Sequence, residues 1–541
     1  MVSAAKVAAA PGRTGDPRVT PRYHRGMVAA RHVMVEVELV EGHDGPGARH
    51  PRARPLPEDD LAPVPGRPGT RHRPRRWVAG ILLVVLTVTS GRLAADAQAR
   101  SAMAALAAVD GVLHPLDGPV AELWRSEGGM RPELLRAAGM LVAVVGGEGS
   151  ADVVALDPAT GATVWRAPLR GSGPGDGGGG IRCVVPGADR SGGAGGPAGT
   201  APPTDGAAGP GGAPVVVCVV DRFPPSRRVP PAPDGTTLDR LVVLDARTGA
   251  VVSQRPVDRS TTVAALDGDV VVAHGDDDGY VHVTRTDPLG TRVRWAFVSP
   301  RPLPVRHPGW STRMDVVEGL VVVDESDGWV LDGRGDVLRS WAGTVAAQAE
   351  GTAHLTGGRL LTRPHTTGGP YARTRVTDLV SGTVFTVRGR PLESWPDDGS
   401  LDGSMLARAG HEHGLAAYDP ATGTRLWTAP GQVEGRAMVL DGRVVRLTPQ
   451  GLVAVDGRSG ATLWQTRFAR PARSTLVTDG RLVVVTQLDG DRGLVLGAYG
   501  LDDGRLRWTA DLADDIAALT VAGRQLFGWS PERLVALTPP G

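Results

Sequence analysis

The stretch Leu415-Ala-Ala-Tyr-Asp419-Pro-Ala-Thr-Gly423-Thr-Arg-Leu-Trp427 reads as an apolar run, an Asp-led turn closed by Gly, a second run and a Trp. The residue types carry the geometry. Asp can bond the turn amides through its own carboxylate, and Gly accepts the positive φ that a tight hairpin requires. The same sentence recurs as Val153-Val-Ala-Leu-Asp157-Pro-Ala-Thr-Gly161-Ala-Thr-Val-Trp165 and as Leu452-Val-Ala-Val-Asp456-Gly-Arg-Ser-Gly460-Ala-Thr-Leu-Trp464. Each copy is predicted to be a β-hairpin.

Weaker copies keep the frame. Asp245 with Gly249 lacks the Trp, Gly504 with Trp508 has Gly500 where the Asp should stand, and Asp287 with Gly290 and Trp295 is spaced differently. Asp332 with Gly335 and Trp341, and Asp378 with Gly382 and Phe385, are looser still. Successive Asp-equivalent positions, 157, 245, 287, 332, 378, 419, 456 and 500, are separated by 88, 42, 45, 46, 41, 37 and 44 residues. A period near 40 to 45 with four short strands per unit is the signature of a β-propeller blade. The interval of 88 is read as one blade interrupted by the Gly, Pro and Ala tract 171–213, a low-complexity loop.

Seven of the twelve tryptophans, Trp124, Trp165, Trp295, Trp341, Trp427, Trp464 and Trp508, fall at or near one repeat position. They are expected to be structural, each ring docking on a turn of the neighbouring blade. The repeats open on Ala121-Glu-Leu-Trp124, the second half of a hairpin, and end on Leu534-Val-Ala-Leu537, the first half of one. Joined, the halves complete a blade and remove the open sheet edges. The fold class is therefore all-β, a propeller over residues 120–541, with eight blades expected within a range of seven to nine.

Outward from the repeats, composition sets further bounds. Glycine at 75 and proline at 45 disfavour long helices, and a net charge of +1 gives no global electrostatic reason to bind nucleic acid. Residues 1–76 carry 14 basic and 8 acidic side chains with little apolar periodicity, and read as a disordered cytoplasmic tail whose true start is Met27 or Met34 as readily as Met1. Residues 77–95 are uncharged apart from Arg92, and Arg71, Arg73, Arg75 and Arg76 crowd their N-terminal side. At 1.5 Å per residue the segment reaches about the apolar thickness of a bilayer. The charge asymmetry orients it N-in and C-out, as a single-pass anchor in the cytoplasmic membrane. Small-x-small patterns at Ala95-Asp96-Ala97 and Ala97-Gln98-Ala99 leave a cleaved signal peptide open. Residues 96–119 are alanine-rich at first and read as a stalk.

Only two cysteines are present, Cys183 in Ile181-Arg-Cys-Val-Val and Cys218 in Val215-Val-Val-Cys-Val-Val. Both runs favour strands, and neighbouring strands of one blade would let the pair close a disulfide in an oxidising compartment. Two buried thiols are the alternative.

At the residues quoted, the chain resembles the pyrroloquinoline-quinone-like (PQQ-like) propeller repeat family, whose docking motif reads approximately A-x-D-x-x-T-G-x-x-x-W. Ala155, Asp157, Thr160, Gly161 and Trp165 match it, as do Ala417, Asp419, Thr422, Gly423 and Trp427. The resemblance implies an eight-bladed ring. It also implies one of two functional classes: quinone-dependent dehydrogenases, or non-enzymatic members such as the assembly scaffold of the outer-membrane β-barrel machinery and sensor modules on kinases. The dehydrogenases carry adjacent cysteines near the cofactor and a calcium site built from Glu, Asn and Asp. This chain has no adjacent cysteine pair and no asparagine.

Other constellations carry little chemistry. His411-Glu412-His413 offers two imidazoles without a third ligand, and Gly275-Asp276-Asp277-Asp278-Gly279 lacks the spacing of a calcium loop. No catalytic, cofactor-binding or metal residue is assigned. The expectation is a non-catalytic extracytoplasmic propeller without cofactor, monomeric, and binding an unknown protein or envelope component as a scaffold module. A quinone-dependent dehydrogenase, or a sensor for sugar or envelope polymer, is the alternative.

Overall fold

The computed structural model describes residues 106, 109 and 111–540, apart from 129, 148–149, 170–180, 188–213, 221–238, 259–260, 277, 304–311, 326, 343–352, 363–372, 410–413, 470–471, 490–492 and 514–515. The tail 1–76, both alternative starts, the segment 77–95, most of the stalk and His411–His413 lie outside the described residues. Among the described residues no helix is long and apolar enough to cross a membrane.

Among the described residues nine sheets, antiparallel within each blade, form the propeller. In chain order, blade 1 covers residues 130–169, blade 2 181–257, blade 3 262–298, blade 4 314–342, blade 5 353–388, blade 6 390–429, blade 7 434–467 and blade 8 472–511. Blade 9 takes three strands from 518–538 and its fourth from Ala121–Glu127, which pairs antiparallel with Arg533–Thr538. First strands of successive blades approach one another at the centre, and fourth strands form the rim. Turns joining first to second and third to fourth strands share one face, called here the turn face. The opposite face carries the second-to-third hairpins and the crossings between blades.

The expectation of eight blades is thus corrected to nine. Each of the eight turns at 157, 245, 287, 332, 378, 419, 456 and 500 closes a blade of its own, and the split hairpin adds the ninth. Blade 2 alone fills the long interval, but its first strand, Ile181–Val184, lies inside the tract read as a loop. The interruption therefore divides into connections on either side of that strand, at 170–180 and after Val184.

Burial follows from the two-residue period of a strand. In blade 1, Val142, Val153 and Ala155 face blade 2 and pack with Val216, Cys218 and Leu244. Leu141, Ala143 and Val154 face the other way, onto Phe527, Leu534 and Ala536 of blade 9. Both faces of a blade are covered, so middle strands such as Val215–Val220 are apolar and buried throughout rather than alternating.

Local turn chemistry matches the residue types. In blade 1 the Asp157 carboxylate accepts the amides of Ala159 at 2.8 Å and Thr160 at 3.0 Å, while Gly161, at φ +69°, donates to the Asp157 carbonyl. Those amides hold the Asp157 carboxyl below the usual aspartate range. The shorter copies at Asp287 and Asp332 close one residue sooner, through Gly290 and Gly335. In blade 8, where Gly500 replaces the leading Asp, the Asp503 carboxylate takes the Arg505 amide instead.

Candidate functional site

At the turn face every blade except blade 8 lays one side chain of its fourth strand on a turn of the next. Trp124 lies on Gly161, Trp165 on Gly249, Trp295 on Gly335, Trp427 on Gly460 and Trp464 on Gly504; a methyl group at any of these glycines would come within 2.3 to 2.7 Å of the indole. Each indole N–H also reaches the carbonyl one residue past the start of that turn: Pro158, Ala246, Gly333, Gly457 and Leu501, at 2.9 to 3.0 Å. Phe385 covers Gly423 in the same way.

Two of the seven tryptophans behave differently. Trp341 is corrected as a docking residue: it sits against Gly328 of its own blade, and Arg339 reaches Gly382 in its place. Two residues along a strand is about 6.6 Å, which carries Trp341 away from the turn it would have to cover. Trp508 occupies the docking position and is 9% exposed, yet its Nε1 has no acceptor among the described residues. Blade 9 has no third-to-fourth turn to offer it, since those strands come from opposite ends of the repeat region. In blade 2 the position holds Ser253, and Arg255 covers Gly290.

Cys183 and Cys218 are direct partners across the first two strands of blade 2 and are joined by a disulfide. Cys218 is fully buried.

Two segments that break the repeat meet at the centre. Ser394–Asp397, leaving blade 6, pairs in parallel with the free inner edge of Glu434–Leu440, the first strand of blade 7. The chain ahead of blade 9 crosses beside it. Val112 bridges Thr478 in parallel at the end of the first strand of blade 8, Leu113 N–H donates to the Thr478 carbonyl at 2.7 Å, and Leu116 N–H to Asp479 Oδ2 at 2.8 Å. His114 N–H reaches the Arg524 carbonyl at 2.9 Å, on the equivalent turn of blade 9. Neither segment carried a periodic signal; Trp395-Pro396 between repeats was the one irregularity that could have pointed to the first.

Polar groups gather around these segments. Arg436 Nε lies 3.0 Å from Glu393 Oε2, and burial lowers the pKa of nearby His354 against the opposing pull of Glu393, Asp315 and Glu318. Burial raises the carboxyl of Asp397, to which Ser394 Oγ–H donates at 2.5 Å. On the opposite face, His274 and His282 of blade 3 are cross-strand partners with rings stacked at 5.0 Å. Their Nε2 atoms meet Asp258 at 2.9 Å and Asp276 at 2.8 Å. Asp276, from the acidic turn, also accepts the Tyr280 amide.

A quinone and calcium site would need a donor set that the described residues do not supply. The two cysteines are bound to each other 35 positions apart, the chain has no asparagine, and no group of three or more His, Cys, Asp or Glu is arranged for a metal among the described residues. The described residues therefore do not fit that cofactor pair.

Residues 411–541 match the family described as outer membrane protein assembly factor BamB. No curated protein matches the chain. Among solved structures, BamB from Moraxella catarrhalis is 16% identical at a TM-score of 0.33, covering 55% of this chain and 91% of its own. A europium-containing methanol dehydrogenase is 10% identical at a TM-score of 0.40, covering 79% of this chain and 95% of its own. Residues 411–541 are thus similar to that family, and the Asp-led turns found there recur in the blades before them.

Proposed function

We propose that this chain is a non-catalytic extracytoplasmic propeller that binds a protein or another envelope component as a scaffold module. Residues 77–95 hold it in the cytoplasmic membrane with the tail 1–76 inside. The observation that carries the reading is the match of residues 411–541 to the assembly-factor family, in a chain whose described residues do not fit a quinone and calcium site. The docking aromatics support the same reading, because Trp124, Trp165, Trp295, Trp427, Trp464 and Phe385 are spent on fastening one blade to the next. A ring fastened in this way offers a rigid frame for partners. The near-zero net charge speaks against nucleic acid.

Crosslinking in intact cells, followed by mass spectrometry of what the propeller holds, tests the binding role; a reproducible envelope partner is the expected result. Purified protein supplied with quinone, calcium and alcohols should reduce no dye, and saturable dye reduction would replace this reading with a dehydrogenase. Protease added outside cells stripped of outer barriers should remove the propeller and spare the tail, and the reverse pattern would refute the orientation.

A further inference from the structure

We propose that residues 111–117 are a latch which, together with the strand Ser394–Asp397, closes the turn-face end of the centre of the ring, and that displacing the latch opens that end. Both segments use the same device. Each lays backbone in parallel along the free inner edge of a first strand, Ser394–Asp397 on blade 7 and Val112 on blade 8. They also touch: a methyl group on Gly111, which has φ +85°, would come 2.3 Å from Cζ2 of Trp395. That contact makes the latch and the inner strand one unit. Glycine is required at 111 on two counts, for the left-handed backbone and for the approach of the ring.

The latch is anchored on both sides of this contact. Leu106 approaches Gly480, where a methyl would meet it at 3.3 Å. Val112 is buried with Met438, Leu440 and Leu476 between blades 7 and 8, and Leu113 and Leu116 are buried with residues of blades 8 and 9. Beyond them Asp117 Oδ1 faces Arg481 Nη1 at 3.3 Å. The chain thus crosses three blades before it enters blade 9 as the outer strand. Moving Gly111 off Trp395 would therefore also disturb Ser394–Asp397, the only described strand that lies inside the ring of first strands. All of these contacts lie within residues 106–541 and are independent of a membrane anchor at 77–95.

A reporter thiol tests the latch in the full chain, because both native cysteines are consumed in the disulfide. Thr478 is fully buried beside Val112, so Thr478→Cys should react slowly with maleimide in the otherwise unaltered protein. Adding Gly111→Val, which drives a side chain into Trp395, should raise the labelling rate tenfold or more well below the melting temperature. Leu116→Pro removes the N–H held by Asp479 without altering any blade residue, and should act in the same direction. Unchanged labelling in both variants overturns the proposal. So does labelling that rises only in step with global unfolding, since the segment would then be ordinary core.

Discussion

The indole of Trp427 lies so close on Gly460 of the next blade that a methyl there would meet Cε3 at 2.6 Å, and its N–H donates to the Gly457 carbonyl at 2.9 Å. One side chain thus reads two features of a neighbouring turn. Gly442 has nearly the same backbone, φ +70° against +73°, but nothing stands within 4 Å of where its methyl would go. Gly442→Ala should therefore cost only the left-handed strain, about 1 kcal/mol. Gly460→Ala should cost about 1 to 3 kcal/mol more, because the ring must be displaced. Denaturant melts of the two variants side by side measure the difference.

Trp464 and Trp508 occupy equivalent positions in blades 7 and 8, each 9% exposed, but only Trp464 has an acceptor, the Leu501 carbonyl at 2.9 Å. Phenylalanine leaves a similar void at either place. At position 464 it also strips a carbonyl of its partner, whereas at 508 it removes a donor that had none. Trp464→Phe is expected to destabilise by about 1 to 2 kcal/mol more than Trp508→Phe. Equal losses would show that the bond to the neighbouring turn contributes nothing.

The Cys183–Cys218 bond closes a loop of sequence separation 35. Chain-entropy reasoning puts its contribution at about 3 to 4 kcal/mol. Cys183→Ser with Cys218→Ser should lower the unfolding midpoint by a corresponding amount, and dithiothreitol should lower the parent protein's midpoint toward that of the double variant. Alkylation under non-reducing denaturing conditions should add no mass to the parent.

Acid should weaken the fold through its histidines. Burial is the largest cause that lowers the pKa of His114, His274 and His354 from the ordinary 6.5; at His114 the charges of Arg524 and Arg136 act in the same direction. Below that value the unfolded chain takes up protons that the folded form resists. Their contribution is therefore complete above pH 6.5 and is lost as the pH falls through the folded values. Asp397, whose carboxyl is raised by burial, has the opposite sign: its contribution is present below its ordinary 3.8 and is lost as pH rises through its folded value. The melting temperature should fall between pH 7.5 and pH 5.5, and His274→Gln combined with His354→Gln should flatten that slope.

Much of this architecture was legible in the sequence because the interactions that make it are local. An Asp-led turn spans five residues, as in Asp419–Gly423, and its hydrogen bonds run between neighbours in the chain, so the copies leave closely similar prints. The disulfide was legible for a related reason: two short β-rich runs flanking one tract are well placed to pair. Even the ring's closure could be read, from half-hairpins at its two ends.

Only tertiary structure decided the rest. Nine blades rather than eight depended on the split hairpin counting as a sheet of its own, which the pairing of Ala121–Glu127 with Arg533–Thr538 makes explicit. Whether Trp341 or Arg339 fastens blade 4 depended on which of two residues on one side of a strand lies beside the neighbouring turn. The latch was invisible to periodicity, since residues 111–120 occur once and their partners lie far along the chain, Leu116 being 363 positions from Asp479. A repeat records contacts made at fixed short separation. A segment that crosses the centre of a ring is held by edges and turns brought near only after the blades have assembled, and nothing in its own residue pattern says which they are.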